Sequence, residues 1–406
     1  MYHYQNNIIP NYRFFPQNTS AQIENIVDLN YYPYITYYIN NNINNNITTY
    51  SHISNNREIN NINFRHPLPN DNKNLINNKS NKTIETVKKP CGIINYGNNC
   101  YLNSGLQILA TCDKFVKELE KYKNIKFGFI GLINEALYKI LNEDIYDPKS
   151  FLNHFCLINS ESSSTQYCSQ NFIRTLLNNI NKDLNNIGDK HLITEYSQYK
   201  PQNKIEKEQY FKFIKSNNFF PESMALKLFS GLIKSHSFGL CNYCKEQIED
   251  FSFSYFIDQN IYLDNIYNKC NFKSVLSQNL GNYNNLTMNC PKCDKEINIK
   301  EEIKIIKLPE ILIFTLERYI NKINNTLIEP DEIIDMKEYI DTSVNLGNTK
   351  YGLFAINIRF GKSNDFGHEI CQVKRNGQWY EINDTNAYIK SRDYNDNSYG
   401  LFYKRL

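Results

Sequence analysis

No single sign of charge dominates this chain. Lysine and arginine number 45 against 42 aspartates and glutamates, a formal net charge of +3, so charge gives no reason to expect nucleic acid or another polyanion as a partner. Apolar runs are short, and none approaches the roughly 18 residues that a membrane-spanning helix needs; no membrane partner is expected. The chain opens without the basic, apolar and small-residue succession of a secretory signal, and its 11 cysteines are odd in number. Together these favour a reducing compartment, cytoplasm or nucleus, over a disulfide scaffold. Tryptophan is confined to Trp379, a position that suits packing of a strand.

Asparagine, tyrosine and isoleucine are abundant, above all in residues 1–89. Runs such as Tyr37-Tyr38-Ile39-Asn40-Asn41-Asn42 there show neither a helical nor a strand period. That composition is expected to stay poorly ordered. Drift toward particular codons explains it without any function, while the interleaving of aromatic and polar residues would suit a self-associating tail.

From residue 90 onward the pattern becomes periodic. Leu132, Ile133, Ala136, Leu137 and Ile140 form one stripe of a helix expected over 129–141, and Phe172, Leu176, Leu177 and Ile180 form another over 171–180. Further on, 251–255 and parts of 303–316 and 353–360 alternate or run apolar as strands do. Helices first and strands after is the order of an α+β fold.

The most informative segment is Gly92-Ile93-Ile94-Asn95-Tyr96-Gly97-Asn98-Asn99-Cys100-Tyr101-Leu102-Asn103-Ser104-Gly105-Leu106-Gln107. Gly97 and the asparagines around it are turn formers, and Leu102, Leu106 and Leu109 recur at the spacing of one buried helical face. Cys100 therefore falls at a helix N-terminus, where unpaired N–H groups and the helix dipole stabilise a thiolate. An arbitrary cysteine is more often a small buried side chain. Two downstream features favour the reactive reading. One is His368, in Gly367-His368-Glu369, followed one short hairpin later by Asn383 and Asp384. A thiol nucleophile needs an imidazole to take its proton and an amide or carboxylate to hold that imidazole.

The other is a pair of C-x-x-C hooks, Cys241/Cys244 and Cys290/Cys293, separated by 45 residues. Four thiolates in two such hooks suit one tetrahedral structural zinc, with no open position for catalytic water. His154, His191 and His236 stand alone, and Cys91, Cys112, Cys156, Cys168, Cys270 and Cys371 lack companions at metal spacing; all are expected to be packing residues, the cysteines as buried thiols.

The segment 92–107 resembles the Cys box of the ubiquitin-specific proteases (G-L-x-N-x-G-N-T-C-Y-x-N-S-x-L-Q), with Asn99 where Thr is usual. Residues 367–384 resemble the family's His box, 308–319 its L-P-x-x-L-x-x-x-L-x-R-F segment, and Tyr399-Gly400-Leu401-Phe402-Tyr403 its closing strand. The resemblance implies a papain-like cysteine peptidase over 90–406, with helical thumb, β-rich palm and zinc-bearing fingers at about 235–305. It implies Cys100 as nucleophile, His368 as base, Asn383 as third triad member with Asp384 the second candidate, and Asn95 as oxyanion donor. The implied substrate is ubiquitin or a ubiquitinated protein, cut after the terminal glycine, and the implied cofactor is one zinc ion.

The chain departs from that pattern in places. Gln166 to Phe172 stands where Q-Q-D-x-x-E-F is usual, losing two carboxylates that in relatives face the basic tail of ubiquitin; weaker recognition is expected. Glu369 and Gln372 occupy positions where Tyr is common, and Arg359 one often held by His. Two alternatives follow. A ubiquitin-binding protein without activity would keep the fold but have less reason to keep all four site residues, and a zinc-ribbon nucleic-acid binder would want a basic patch.

Overall fold

The computed structural model describes residues 89–159, 168–192, 198–217, 222–263, 266, 269–281, 283–319, 324–361, 367–391 and 397–406. The Asn-rich segment up to residue 88, and Gln166 and Tyr167 of the altered motif, lie outside the described residues.

The helical half comes first. A short strand β1 (Gly92–Ile93) leads through the Gly97 turn into α1 (Cys100–Thr111), followed by α2 (Asp113–Leu119) and α3 (Gly128–Asn142). Strand β2 (Ile145–Tyr146) pairs in parallel with β1, and α4 (Lys149–Ile158) and α5 (Ser169–Asn186) complete the group. The leucine stripe of α1 behaves as its spacing predicts: Leu102, Leu106 and Leu109 are buried in one core with Ile133, Leu137, Phe172 and Leu176. Truncating Leu106 to alanine there should cost about 2–5 kcal/mol. Gly105 permits the close crossing of α1 and α5, because a Cβ on it would stand 2.5 Å from the Phe172 ring. The expected helix 171–180 is the middle of a longer α5, capped by Cys168, whose sulfur accepts from the Asn171 N–H at 3.5 Å.

Helices α6 (Lys204–Asn217) and α7 (Met224–Lys227) precede the sheets. A four-stranded antiparallel sheet has the order β4-β3-β8-β7, from β3 (Gly231–Leu240), β4 (Gln247–Phe256), β7 (Asn284–Asn289) and β8 (Glu296–Lys307). Between its two hairpins the chain leaves this sheet. Strand β5 (Asp258–Tyr262) joins the larger sheet, and β6 (Cys270–Asn271) and α8 (Phe272–Leu280) follow it. The fingers expected at about 235–305 are therefore discontinuous, built from two hairpins around an excursion into the palm.

The palm sheet runs β15-β14-β13-β12-β16-β9-β5, with β11 (Ile333–Asp335) also on β12. Its strands are β9 (Ile311–Glu317), β12 (Lys350–Gly361), β13 (Gly367–Arg375), β14 (Gln378–Asn383), β15 (Asn386–Ile389) and β16 (Ser398–Arg405), while a short β10 (Ile328–Glu329) pairs with β6. β9 is apolar almost throughout because it is covered on both faces. Ile311 and Ile313 face the helical core, and Leu312, Phe314 and Leu316 face a second core with α8 and Trp379. Helix α1 abuts β13, so the cysteine and the histidine come from opposite halves.

Candidate active site

Cys100 is the first residue of α1 and is 2% exposed. Asn99 precedes it at the cap but makes no side-chain cap hydrogen bond. The Asn99 amide instead donates to the Ile94 carbonyl at 3.1 Å and to Asn103 Oδ1 at 2.9 Å, and its oxygen accepts the Tyr96 N–H at 2.6 Å. The Asn99 side chain thus braces the loop that leads into the helix and does not cap it.

His368 is the second residue of β13, where it pairs with Phe360 on β12. Its Nε2 lies 2.8 Å from Asn383 Oδ1 at the end of β14. Since the amide oxygen only accepts, Nε2 carries the proton and Nδ1 is left for the thiol. The hydrogen bond to Cys100 is the largest influence on the imidazole, with that from Asn383 adding to it and burial opposing both; the result lifts His368 to about 9. The three side chains thus form a connected series, Cys100 to His368 to Asn383.

Asp384 has another place. It follows Asn383 in the β14–β15 turn with φ +51, a left-handed conformation that aspartate tolerates better than most residues. This turns its carboxylate away from Asn383's side and toward the Cys100 loop. Oδ2 accepts from Asn95 Nδ2 and Oδ1 from Asn103 Nδ2, each at 2.8 Å. The Asn95 oxygen is taken by the Gly97 N–H at 2.8 Å. Asp384 takes one of the two Nδ2 hydrogens, so the Asn95 amide is held at both ends. The same turn accepts the Ile93 N–H on the Asp384 carbonyl at 2.8 Å. Gly92 lets the strands approach this closely, since a Cβ there would lie 2.4 Å from the Thr385 oxygen. Sequence reasoning missed Asn103 and Asn99 as parts of this network; both lie in the quoted motif, but nothing in their spacing reveals a partner 281 residues away.

Beside the cleft, the two lost carboxylate positions are held by half-buried Cys168 and exposed Asn171. Cys168 and Cys270, expected as buried thiols, are both only half-buried: one caps α5, and the other lies in the two-residue β6 away from either core's centre. Two further acids went unnoticed in the sequence. Asp258 on β5 takes both bonds of a bidentate pair from Arg174 on α5, each 2.8 Å, and burial together with Asp258 pushes the Glu317 carboxyl up. The isolated histidines lie elsewhere: His154 packs edge-on against Phe129, His191 contacts Asp189 at 3.0 Å, and His236 stacks on Phe251.

The four hook cysteines come together at the β3–β4 and β7–β8 turns, with all four sulfurs within 4.8 Å of one another. Cys241 and Cys293 approach to 3.6 Å, as do Cys244 and Cys290, close to the roughly 3.8 Å edge of a tetrahedron with Zn–S bonds of about 2.3 Å. The two turns repeat one geometry. Lys245 and Asp294, each following the second cysteine of its hook, have φ of 61 and 54; their N–H groups close back on the Cys241 and Cys290 carbonyls at 2.9 and 2.8 Å. The N–H groups of Cys244 and Tyr243 lower the Cys241 thiol below the ordinary range. This donor set fits a thiophilic metal ion.

Residues 91–403 match the family model described as ubiquitin carboxyl-terminal hydrolase. Ubiquitin carboxyl-terminal hydrolase 23 of Arabidopsis thaliana is 24% identical over 343 residues, covering 80% of this chain and 36% of that protein. Ubiquitin carboxyl-terminal hydrolase 17-like protein C of Mus musculus is 30% identical over 123 residues, covering 28% of this chain and 22% of the other. The chain thus spans well under half the length of these relatives. Among solved structures, a chain of the yeast SAGA DUBm is similar in fold, with TM-score 0.57 and 19% identity over 78% of this chain and 68% of that one.

Proposed function

Because this chain belongs to the ubiquitin carboxyl-terminal hydrolase family, we propose that it is a deubiquitinating thiol isopeptidase acting after the C-terminal glycine of ubiquitin or a ubiquitin-like protein. The observation that carries the reading is the contact of His368 with both Cys100 and Asn383. In this mechanism His368 takes the Cys100 proton and the thiolate attacks the glycine carbonyl carbon. The developing oxyanion receives a hydrogen bond from the Asn95 amide, which Asp384 holds in place. The tetrahedral intermediate collapses as His368 protonates the leaving lysine amine, giving a thioester. Water, activated by the same imidazole, then releases the carboxylate and restores the thiol. Two consecutive glycines in the substrate tail suit a narrow cleft that larger side chains would block.

Cys241, Cys244, Cys290 and Cys293 would hold one zinc ion, supplying a structural cross-link to the fingers. The odd cysteine count and the two metal-type hooks accord with an intracellular site of action. A ubiquitin-binding protein without activity remains the second reading, favoured by the replaced carboxylates at Cys168 and Asn171. The test is incubation with ubiquitin bearing a C-terminal electrophile. A covalent adduct at Cys100, absent in Cys100→Ala, supports the peptidase; binding without an adduct supports the second reading.

A further inference from the structure

Two of the departures noted in the sequence, Arg359 and Glu369, are partners of each other. They face across the β12–β13 ladder, are each 1% exposed, and are joined by Arg359 Nη1 donating to Glu369 Oε1 at 2.5 Å. The other carboxylate oxygen faces the helical half. Oε2 accepts the backbone N–H of Ser169, the first residue of α5, at 2.9 Å, and the Asn357 amide at 3.1 Å. Ser169 Oγ lies 2.5 Å from Oε2 and 2.9 Å from the carbonyl oxygen of Tyr101, so its single proton serves one of the two at a time. Tyr101 follows Cys100, and Glu369 follows His368. The shortest polar route between the residues next to the thiol and next to the imidazole therefore runs through one carboxylate and one hydroxyl.

We propose that Glu369, neutralised by Arg359 and bridged by Ser169 to Tyr101, is a positioning residue that sets the separation of His368 from Cys100. Through Oε2, Glu369 also accepts the first N–H of α5, a helix whose cap is cysteine in place of a carboxylate. The carboxylate is withdrawn from the substrate side, so its effect falls on the chemical step and not on tail binding. Replacing it with glutamine cannot preserve the arrangement. One end of the side chain meets the Arg359 donor and the other meets the Ser169 and Asn357 donors, so an amide NH2 opposes a donor in either orientation.

The proposal rests on Cys100 and His368 acting as thiol and base, and its test separates the two. The rate of iodoacetamide reaction at Cys100, followed by mass spectrometry of its peptide near neutral pH, reports the thiolate without using ubiquitin. Hydrolysis of a ubiquitin C-terminal fluorogenic amide by the wild type tests the peptidase reading itself. In Glu369→Gln the Cys100 alkylation rate should fall at least about tenfold, and kcat with it, while KM stays within about twofold, as expected when reacting groups shift by a fraction of an ångström. Ser169→Ala, which leaves the ion pair intact, should lose about three- to tenfold in the same two quantities without a change in melting temperature, and Ser169→Thr should restore them. Wild-type alkylation in folded Glu369→Gln overturns the proposal. If that variant does not fold, wild-type alkylation in Ser169→Ala overturns it.

Discussion

Asp384 provides the sharpest test of the proposed oxyanion arrangement. Its carboxylate holds the Asn95 and Asn103 amides at 2.8 Å each, two charge-assisted hydrogen bonds of about 1.5–3 kcal/mol apiece at most in a partly buried setting. Asp384→Asn keeps the side-chain shape and suits the positive φ, but it offers one oxygen where two are needed, so either Asn95 or Asn103 faces an NH2 group. Deleting an oxyanion donor outright costs about 2.7–4 kcal/mol, or about 100- to 1000-fold in kcat. An unpinned Asn95 still visits its productive pose, so Asp384→Asn should lose about 10- to 100-fold, and Asn95→Ala more. Combining the two should cost little beyond Asn95→Ala alone, because both act through one amide. The assay is steady-state hydrolysis of a ubiquitin C-terminal amide, with a ubiquitin electrophile titrating the folded fraction. Additive losses in the double variant, or a wild-type kcat in Asp384→Asn, would refute the reasoning. Asn383→Ala should also lose about 10- to 1000-fold, about 1.4–4 kcal/mol, by releasing the imidazole. Near-normal activity in Asn383→Ala beside a nearly dead Asp384→Ala would hand the orienting role to Asp384.

Cys100→Ala should abolish cleavage while preserving the fold, and retained hydrolysis would sink the assignment. His368, lifted to about 9 chiefly by its hydrogen bond with Cys100, should titrate markedly lower in Cys100→Ala by NMR of its ring protons. Because the folded value is raised, the pair's contribution to stability is complete below the ordinary histidine pKa of about 6.5 and is lost as pH rises through about 9; an unmoved midpoint in the variant would show that another group does the lifting. Protein purified without chelator should hold one zinc per chain, and Cys290→Ser should lose it and loosen the fingers before it affects thiol chemistry; elemental analysis without zinc would count against the site. A chain starting at Pro90 should retain catalysis. One starting at Ile94 should fail, because the Gly92 and Ile93 N–H groups bond to the Asp144 and Asp384 carbonyls at 2.9 and 2.8 Å.

Local rules read in the sequence account for what is local in this protein. Cys100 begins α1 because turn-forming asparagines and Gly97 give way at that point to a leucine face, and each C-x-x-C hook folds into the same turn because both obey the same two-residue spacing. The short hairpin brings both Asn383 and Asp384 within reach of His368, and it is the family resemblance that favours Asn383 as its partner. Asp384 was left open, since a side chain at a turn obeys no strand alternation; a positive φ and a strand from 291 residues earlier, seen in the Ile93 contact, decide where it points. The two hooks lie 45 residues apart in sequence, yet the excursion through β5 and α8 into the palm was invisible, because a strand's apolar pattern does not say which sheet it joins. Arg359 and Glu369 illustrate the limit most clearly. Each alone reads as a departure from a motif, and only the β12–β13 register, which sets them face to face beneath the cleft, makes them a neutral buried pair.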